Sequence, residues 1–302
     1  MTNLVGFTAV IPTINRAHLI ERAIESVLNQ TVPPQEVIVV DDGSQDETEA
    51  KVATFGNRVI YRKQANAGSA AARHNGFQAA SCDWVALLDS DDVWLPDHLE
   101  KMQAAIVATK GQGNYYFADV RQPPEKGGGS IFAYRSFAVE GSFAFREDGT
   151  AWAMMRGQPM MLQATVFKRQ AYFDCGGFMG RLRYRDDTHL FLKLGIAGPI
   201  CAVNHIGTQM TADDDPSNRL TLTYDGRKME EGYRMQVWMF EDLLERFPEA
   251  DAATRTKLTR RLAGAHRSLS RVAWRSKRPF AALTAAVQSV RLAPAQLNPS
   301  KK

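Results

Sequence analysis

Cysteine is scarce: Cys82, Cys175 and Cys201 are too few, too scattered and odd in number for a disulfide framework or a zinc cage. A reducing cytoplasm is the simplest home for such a chain. No apolar run approaches the roughly 18 to 20 residues of a membrane-crossing helix. The first apolar stretch, LVGFTAVIP, follows no basic segment and reaches Pro12 within nine residues, so no secretory signal is expected and the chain should be soluble. No P-loop lysine motif is present, which disfavours an ATPase of that type. Acid is missing from one region. Residues 251–302 hold twelve Lys and Arg against a single acid, Asp251, whereas the preceding 250 carry 25 basic and 32 acidic side chains. An acidic N-terminal body without a recognition module fits nucleic-acid binding poorly.

What remains is an ordinary globular composition, 44% hydrophobic and 23% charged in 302 residues, enough for one large core and a small appended domain. VGFTAVIP, EVIVV, RVIYR and WVALL read as strands, and AHLIERAIESVLNQ and SAAARHNGFQAA between them as helices. That alternation predicts an α/β fold with a Rossmann-like, mainly parallel sheet flanked by helices. Ser44 and Glu47 have the spacing of a capping box. QPPEKGGGS, residues 122–130, reads as an exposed connection, MLQATVFKR and GPICAVN as strands, and DDTHLFLKLG as a helix. From about 219 to 291 the pattern is helical, with breaks near Pro248 and Pro279.

Ligands of an open α/β sheet bind at the carboxyl ends of its strands. The residues there are Pro12, Thr13, Asn15 and Arg16; Asp41 to Ser44; Asn66 to Gly68, with Arg73 in the next helix; and Asp89, Ser90, Asp91 and Asp92. An isolated acidic turn such as DDGS is most often a backbone cap. Three carboxylates in four positions disfavour one another's charge, and the helix that follows has its own start at Pro96 and Asp97. Mg²⁺ or Mn²⁺ would resolve the conflict, since either takes one or two protein carboxylates and completes its shell with water and phosphate oxygens. An Asp-x-Asp at a strand end therefore points to a metal-bridged phosphate.

In order and spacing, VIPTINRAHLIERAIESVLNQ, VIVVDDGSQDET, NAGSAAARHNG and VALLDSDDVWLPDHLEKM resemble the nucleotide-sugar-binding half of family 2 glycosyltransferases of the GT-A fold. The match runs over residues 7–105 and resumes in GGFMGRLRYRDDTHLFLKLG, residues 176–195. The resemblance implies that Pro12, Thr13 and Asp42 line the base pocket, that Arg16 and Arg73 lie near the nucleotide, and that Asp89 approaches the ribose. It makes Asp91 the principal metal ligand, with Asp92 and Asp186 in supporting roles. The family often has Asn straight after the arginine of the third motif; here His74 intervenes before Asn75, and reads as an ordinary helix residue.

On the helix opened by Asp186, Asp187 shares a stripe with Leu190, Phe191 and Leu194, whereas Asp186 shares one with His189 and Lys193 that looks wetter. Capping alone would explain both acids. The resemblance makes the second acid of the pair the base, which agrees with the inward stripe and points to Asp187. It implies a single displacement that inverts the anomeric centre, from a nucleotide-sugar donor, UDP-linked, to a glycan or lipid-linked glycan. The processive members' Gln-x-x-Arg-Trp motif is missing, so transfer of one sugar is expected. Arg219, in a polar loop, is a further candidate for the diphosphate. The expected organisation is a catalytic domain over 1–218, divided at 105/106 into donor and acceptor halves, and a helical extension over 219–302.

The basic extension reads either as a solvated face or as a surface for peripheral contact with anionic lipid at the inner face of the membrane. Arg260, Arg267, Arg271 and Arg278 are expected on one side, with Leu262, Val272, Phe280 and Leu283 buried on the other. Two other functions compete with glycosyl transfer. A metal-dependent phosphohydrolase with a nucleophile in DSDD would need a supporting lysine and acids in another order, and a noncatalytic nucleotide-sugar-binding protein would have no use for Asp187.

Overall fold

Seven consecutive buried residues, Phe7–Thr13, form β1, the axis on which the sheet is built. Its side chains alternate between two cores: Phe7, Ala9 and Ile11 on one face, Val10 on the other, as the twofold period of a strand requires. The chain leaves through α1 (Ile20–Leu28), which buries Ile20, Ala23, Ile24 and Val27 at helical spacing. Each of its larger members contributes about 1.5–3 kcal/mol by leaving water. It returns as β2 (Glu36–Asp41), and α2 (Thr48–Ala53), β3 (Ile60–Lys63), α3 (Ser69–Ala79) and β4 (Trp84–Leu87) follow. β1 pairs in parallel with β2 and with β4, and β2 in parallel with β3, so the carboxyl ends of all four strands share one edge. The computed structural model describes residues 5–180, 182, 185–211 and 226–293.

Beyond β4 come β5 (Val93–Trp94), α4 (His98–Ala108), β6 (Tyr115–Arg121), α5 (Ile131–Tyr134), β7 (Phe143–Arg146), α6 (Thr150–Ala153), β8 (Thr165–Lys168), α7 (Arg169–Asp174), α8 (Asp186–Ala197) and β9 (Ile200–Gln209). The sheet order is β3-β2-β1-β4-β8-β6-β9-β5, with β7 also on β9. β8 runs antiparallel to both β4 and β6, and β5 and β7 antiparallel to β9. The sheet is therefore mixed: parallel throughout in its first half and reversed by β8, a direction that the apolar pattern of MLQATVFKR does not encode. The β5–β9 pairing sets Val93 opposite Gln209 and carries the segment after β9 back to the end of β4.

Two local expectations are corrected. Ser44 does not cap α2: its hydroxyl accepts the Asn15 N–H at 2.8 Å, and Asp46 instead takes the Thr48 N–H at 3.0 Å. The serine is drawn instead to the loop after β1. The stripe of His189 and Lys193 on α8 is not wet; both are buried, at 0% and 1% exposure. Gly177 lies over it and its carbonyl accepts the Lys193 ammonium.

The chain packs as two units, one built on the sheet and one on α9 (Gly226–Arg246), α10 (Ala252–Arg275) and α11 (Pro279–Leu292). Within the second, Asp251 caps α10 by accepting from Ala253 and Thr254, and Pro279 opens α11 at its first turn, where a missing N–H costs nothing. Arg278 donates to Glu230 of α9. Leu262 is buried as expected, but Phe280 and Leu283 are exposed, because α11 packs through Ala282 and Ser289 instead. Among the described residues no helix is long and apolar enough to cross a membrane.

Candidate active site

Thr13 closes β1, and its carbonyl accepts the Asp42 N–H at 2.9 Å, which ties the first two strand-end loops together. Pro12 sits one residue earlier, opposite Val40. The Thr13 hydroxyl is buried and has no hydrogen-bond partner among the described residues. A hydroxyl left so costs about 1–3 kcal/mol, a cost a ligand at the strand end removes. Asn15, with φ of 50°, turns the chain sharply, and its side chain accepts the Gln45 N–H at 2.8 Å. Arg16 follows, buried, with its N–H on Thr48 Oγ1 at 3.1 Å.

The two acids after β2 hold backbone. Asp41 takes the Ser44 N–H at 2.7 Å and the Tyr61 hydroxyl at 2.5 Å. Asp42 accepts from Gln64 Nε2 at 2.7 Å and from the N–H groups of Ala67 and Gly68, each at 2.8 Å. Gln64 accepts in turn from the Asn75 side chain, so Asp42 shapes the loop leading into α3. Gly43, with φ of 89°, is required here: a Cβ on it would lie 3.1 Å from the Asn66 nitrogen.

Arg73 joins two parts of the site that lie far apart in sequence. Its Nη2 meets Asp89 Oδ1 at 2.7 Å, and its Nη1 meets Asp186 Oδ2 at 3.3 Å. Gly76, one turn along α3, permits this: a Cβ there would come within 2.2 Å of Val10, so only glycine lets α3 lie so close on β1. Burial works against the Arg73 charge, but the carboxylates of Asp89 and Asp186 overcome it and hold the guanidinium above its ordinary range. Asp186 is raised as well, which in an acid disfavours the charge. Burial raises it, Arg73 lowers it and Asp187 raises it again, leaving it above the carboxylate norm. The contact to Asp89 is the shorter of the two and the principal ion pair. Arg73 Nε is buried without a partner among the described residues. His74 meets the Tyr172 hydroxyl at 2.8 Å.

After β4 the chain turns through Asp89–Asp92, closed by the Asp92 N–H on the Asp89 carbonyl at 3.0 Å. Asp92 is buried and its carboxylate accepts the Thr211 N–H at 3.1 Å. Burial first, then the charges of Asp91 and Asp89, push it well above the carboxylate norm. The Asp91 carbonyl accepts from Thr211 Oγ1 and, at 3.4 Å, from Arg22 Nη2. Arg22 also donates to Thr211 Oγ1 at 2.8 Å. Thr211 thus clamps the acidic turn, a role that nothing in the sequence marked. No three His, Cys, Asp or Glu side chains among the described residues converge as a cage. Crowded hard-oxygen donors short of a cage fit Mg²⁺ or Mn²⁺, which leave most positions to water and phosphate.

Asp186 and Asp187 open α8. Asp187 is half-buried and accepts the Thr188 N–H at 2.6 Å. The structure therefore brings Arg73, Asp89 and Asp186 into contact, joins Thr13 to Asp42, and sets Asp187 next to Asp186 in the chain. Arg219 lies outside the described residues.

The fold has known counterparts. Staphylococcus aureus TarS residues 1–349, solved with UDP-GlcNAc, superposes with a TM-score of 0.63 at 15% identity, covering 95% of this chain and 92% of that one. The Pyrobaculum calidifontis mannosyltransferase PcManGT, solved with GDP-Man and Mn²⁺, gives 0.59 at 20% identity over 97% of this chain and 76% of that one. At such identities the likeness is one of fold, which is of the GT-A type. In sequence the chain is 37% identical over 113 residues to the Escherichia coli UDP-Glc:alpha-D-GlcNAc-diphosphoundecaprenol beta-1,3-glucosyltransferase WfgD, covering 35% of this chain and 44% of that protein. The chain spans less than two thirds of the length of the curated relatives it matches, from 16% to 60% of the first four. The family model described as glycosyl transferase family 2 matches residues 8–184, more than half of the chain, and the protein belongs to that family.

Proposed function

We propose that the protein is an inverting glycosyltransferase that moves one sugar from a nucleotide-sugar donor, UDP-linked, to a hydroxyl of a glycan or lipid-linked glycan in cell-surface polysaccharide or glycolipid assembly. Residues 1–218 are its catalytic domain and 219–302 its helical extension. It works in the cytoplasm, where a lipid-linked acceptor is met at the inner face of the membrane. The observation that carries this reading is the double contact of Arg73, 2.7 Å to Asp89 and 3.3 Å to Asp186. One buried cation makes the donor-side acid and the acid pair of α8 parts of a single site. Support for the donor class comes from the UDP-GlcNAc and GDP-Man carried by the two structural counterparts, and for the acceptor class from the diphosphoundecaprenol in the name of the Escherichia coli relative.

In this reading Pro12, Thr13 and Arg16 receive the nucleoside, the Thr13 hydroxyl finding there the partner it otherwise lacks. Asp42 keeps the loop into α3 in shape, and Arg73 holds Asp89 toward the ribose. Arg219 contacts the diphosphate. Asp91, supported by Asp92, would hold Mn²⁺ or Mg²⁺, which when bound neutralises charge on the departing nucleoside diphosphate. Asp187 takes the proton from the acceptor hydroxyl as its oxygen bonds the anomeric carbon and the bond from that carbon to the diphosphate breaks; one displacement inverts the centre. General-base action of this kind contributes about 10²- to 10⁴-fold. The Thr188 N–H on Asp187 Oδ1 leaves the other oxygen for that proton.

Hydrolysis of a panel of nucleotide sugars without acceptor, with Mn²⁺ or Mg²⁺, tests the reading and identifies the donor. If no nucleotide sugar binds or turns over, the reading fails. Asp187→Asn should leave donor binding unchanged and cut transfer by at least about 10²-fold; undiminished transfer removes Asp187 from the role.

A further inference from the structure

α11 is packed inside out for a helix of a water-soluble body. Its buried residues, Ala282 and Ser289, are small, while Phe280 is 86% and Leu283 64% exposed, and Val287 and Val290 are exposed on the same stripe. Their spacing of three, four and three is one helical face. Trp274, near the end of α10, is 71% exposed. Eight large apolar side chains are exposed among the described residues, and five of them fall between Trp274 and Val290; Ile60, Val107 and Tyr134 are scattered singly, as is normal.

Positive charge accompanies this face on the same stretch of chain. Arg271, Arg275, Lys277 and Arg291 are exposed, and none has a side-chain partner among the described residues. No Asp or Glu follows Asp251 in the sequence. Arg278 is set apart, being spent on Glu230 at 3.2 Å. An apolar stripe with cations on its own segment, and with its neighbouring acid Glu230 already held by Arg278, is complementary to the boundary of an anionic bilayer, where chains receive the apolar residues and headgroups the cations. A second copy of the chain would bring cations against cations, and a nucleic acid would have no use for Phe280 and Leu283. With 14 residues, α11 is about 21 Å long, short of the roughly 30 Å hydrocarbon core, so it lies on the surface rather than across it.

We propose that the Phe280–Leu283–Val287–Val290 face of α11, with Trp274 and the cations Arg271, Arg275, Lys277 and Arg291, docks on anionic lipid. This deepens the proposed function, whose lipid-linked acceptor it would serve, but the surface is tested without donor or acceptor. The 302-residue chain should co-sediment with phosphatidylglycerol vesicles at low salt, release at high salt, and ignore phosphatidylcholine. Its tryptophan emission should shift to the blue on binding, and Trp274→Phe should abolish the shift, since of the five tryptophans Trp84 and Trp94 are buried, Trp152 and Trp238 are half-buried, and Trp274 alone is exposed. Phe280→Ser with Leu283→Ser should weaken binding by about tenfold or more at unchanged circular dichroism. Arg275→Gln and Lys277→Gln should each weaken it about fivefold. Absence of binding to phosphatidylglycerol at low salt, or equal binding by the Phe280/Leu283 variant, overturns the proposal. So does a concentration-dependent dimer that the same variant dissolves, which would give the face to a second copy. Nucleotide-sugar hydrolysis without vesicles, measured on the same preparations, separates failure of this surface from failure of the catalytic reading.

Discussion

Removing the Arg73 side chain tests whether the two acidic parts of the site are one unit. In Arg73→Met, a side chain of similar length loses the cation and leaves Asp89 and Asp186 facing each other in a buried setting. Breaking a buried ion pair from one side costs about 3–5 kcal/mol, because the abandoned charge has no water to turn to. The Asp89 side chain is 28% exposed, so solvent screens part of its share, and the lower end, about 3 kcal/mol, is expected. For a unit of this size that is a fall in Tm of roughly 6–12 °C. Arg73→Lys keeps a charge but loses the planar fork that serves two carboxylates at once, and should fall between. The penalty is one of uncompensated negative charge, so it should shrink as the pH falls and the raised Asp186 carboxyl takes up its proton. Thermal unfolding at pH 7.5 and pH 4 reads all of this, and a double-mutant cycle with Asp186→Asn isolates the second contact, with coupling of about 1 kcal/mol. A Tm for Arg73→Met within about 2 °C of the parent, or strict additivity in the cycle, would refute the bridge.

Three further outcomes follow from the packing. His98 is fully buried with neither ring nitrogen bonded among the described residues, and burial, then the nearby His205, push its pKa down to about 3. The unfolded chain therefore binds the proton first, so stability is full above about pH 6.5 and falls between there and pH 3; the urea midpoint should register about 1.4 kcal/mol lost by pH 5.5, and His98→Leu should flatten that slope. Gly76→Ala drives a Cβ to 2.2 Å from Val10 and should cost about 1–3 kcal/mol by denaturant titration, with weakened donor binding as α3 lifts Arg73 away; an unchanged midpoint would contradict the close packing. Thr211→Val removes the hydroxyl from the Asp91 carbonyl and should raise the Mn²⁺ concentration needed for half-maximal donor hydrolysis more than it lowers the maximal rate.

The strand-end positions were legible in the sequence because a parallel sheet obeys a simple rule: apolar runs buried on both faces end together at one edge. Thr13, Asp42, Asp89 and Asp91 follow from it. Their partners did not, for a physical reason. Arg73 meets Asp186 across 113 positions and Thr211 meets Asp92 across 119, and such contacts depend on sheet order and the β5–β9 register, which periodicity does not carry. The helical wheel failed twice in instructive ways. On α8 it took Lys193 for a wet residue, although a lysine can be buried where a carbonyl, here that of Gly177, receives its ammonium. On α11 it assigned Phe280 and Leu283 to the core because they are large and apolar, although close packing of α11 selected the small residues on the other side.

The acidic doublets show how neighbours in sequence divide the work. Successive residues at a strand end or in a tight turn point different ways, so a pair of acids is seldom two copies of one function. In Asp91–Asp92 the second acid is buried on the Thr211 N–H, while the first is half-exposed. In Asp186–Asp187 the first is spent on Arg73, and the second meets only a neighbouring N–H among the hydrogen bonds described. One member anchors the backbone or a cation, which fixes the direction in which the other is presented. In Asp41–Asp42 both members anchor, each accepting loop N–H groups, and that doublet presents a shaped loop rather than a carboxylate. The division has a measurable consequence. Asparagine at Asp92 or Asp186 should register first in stability and at Asp91 or Asp187 first in turnover, because an anchor acts through position whereas a presented carboxylate acts through charge.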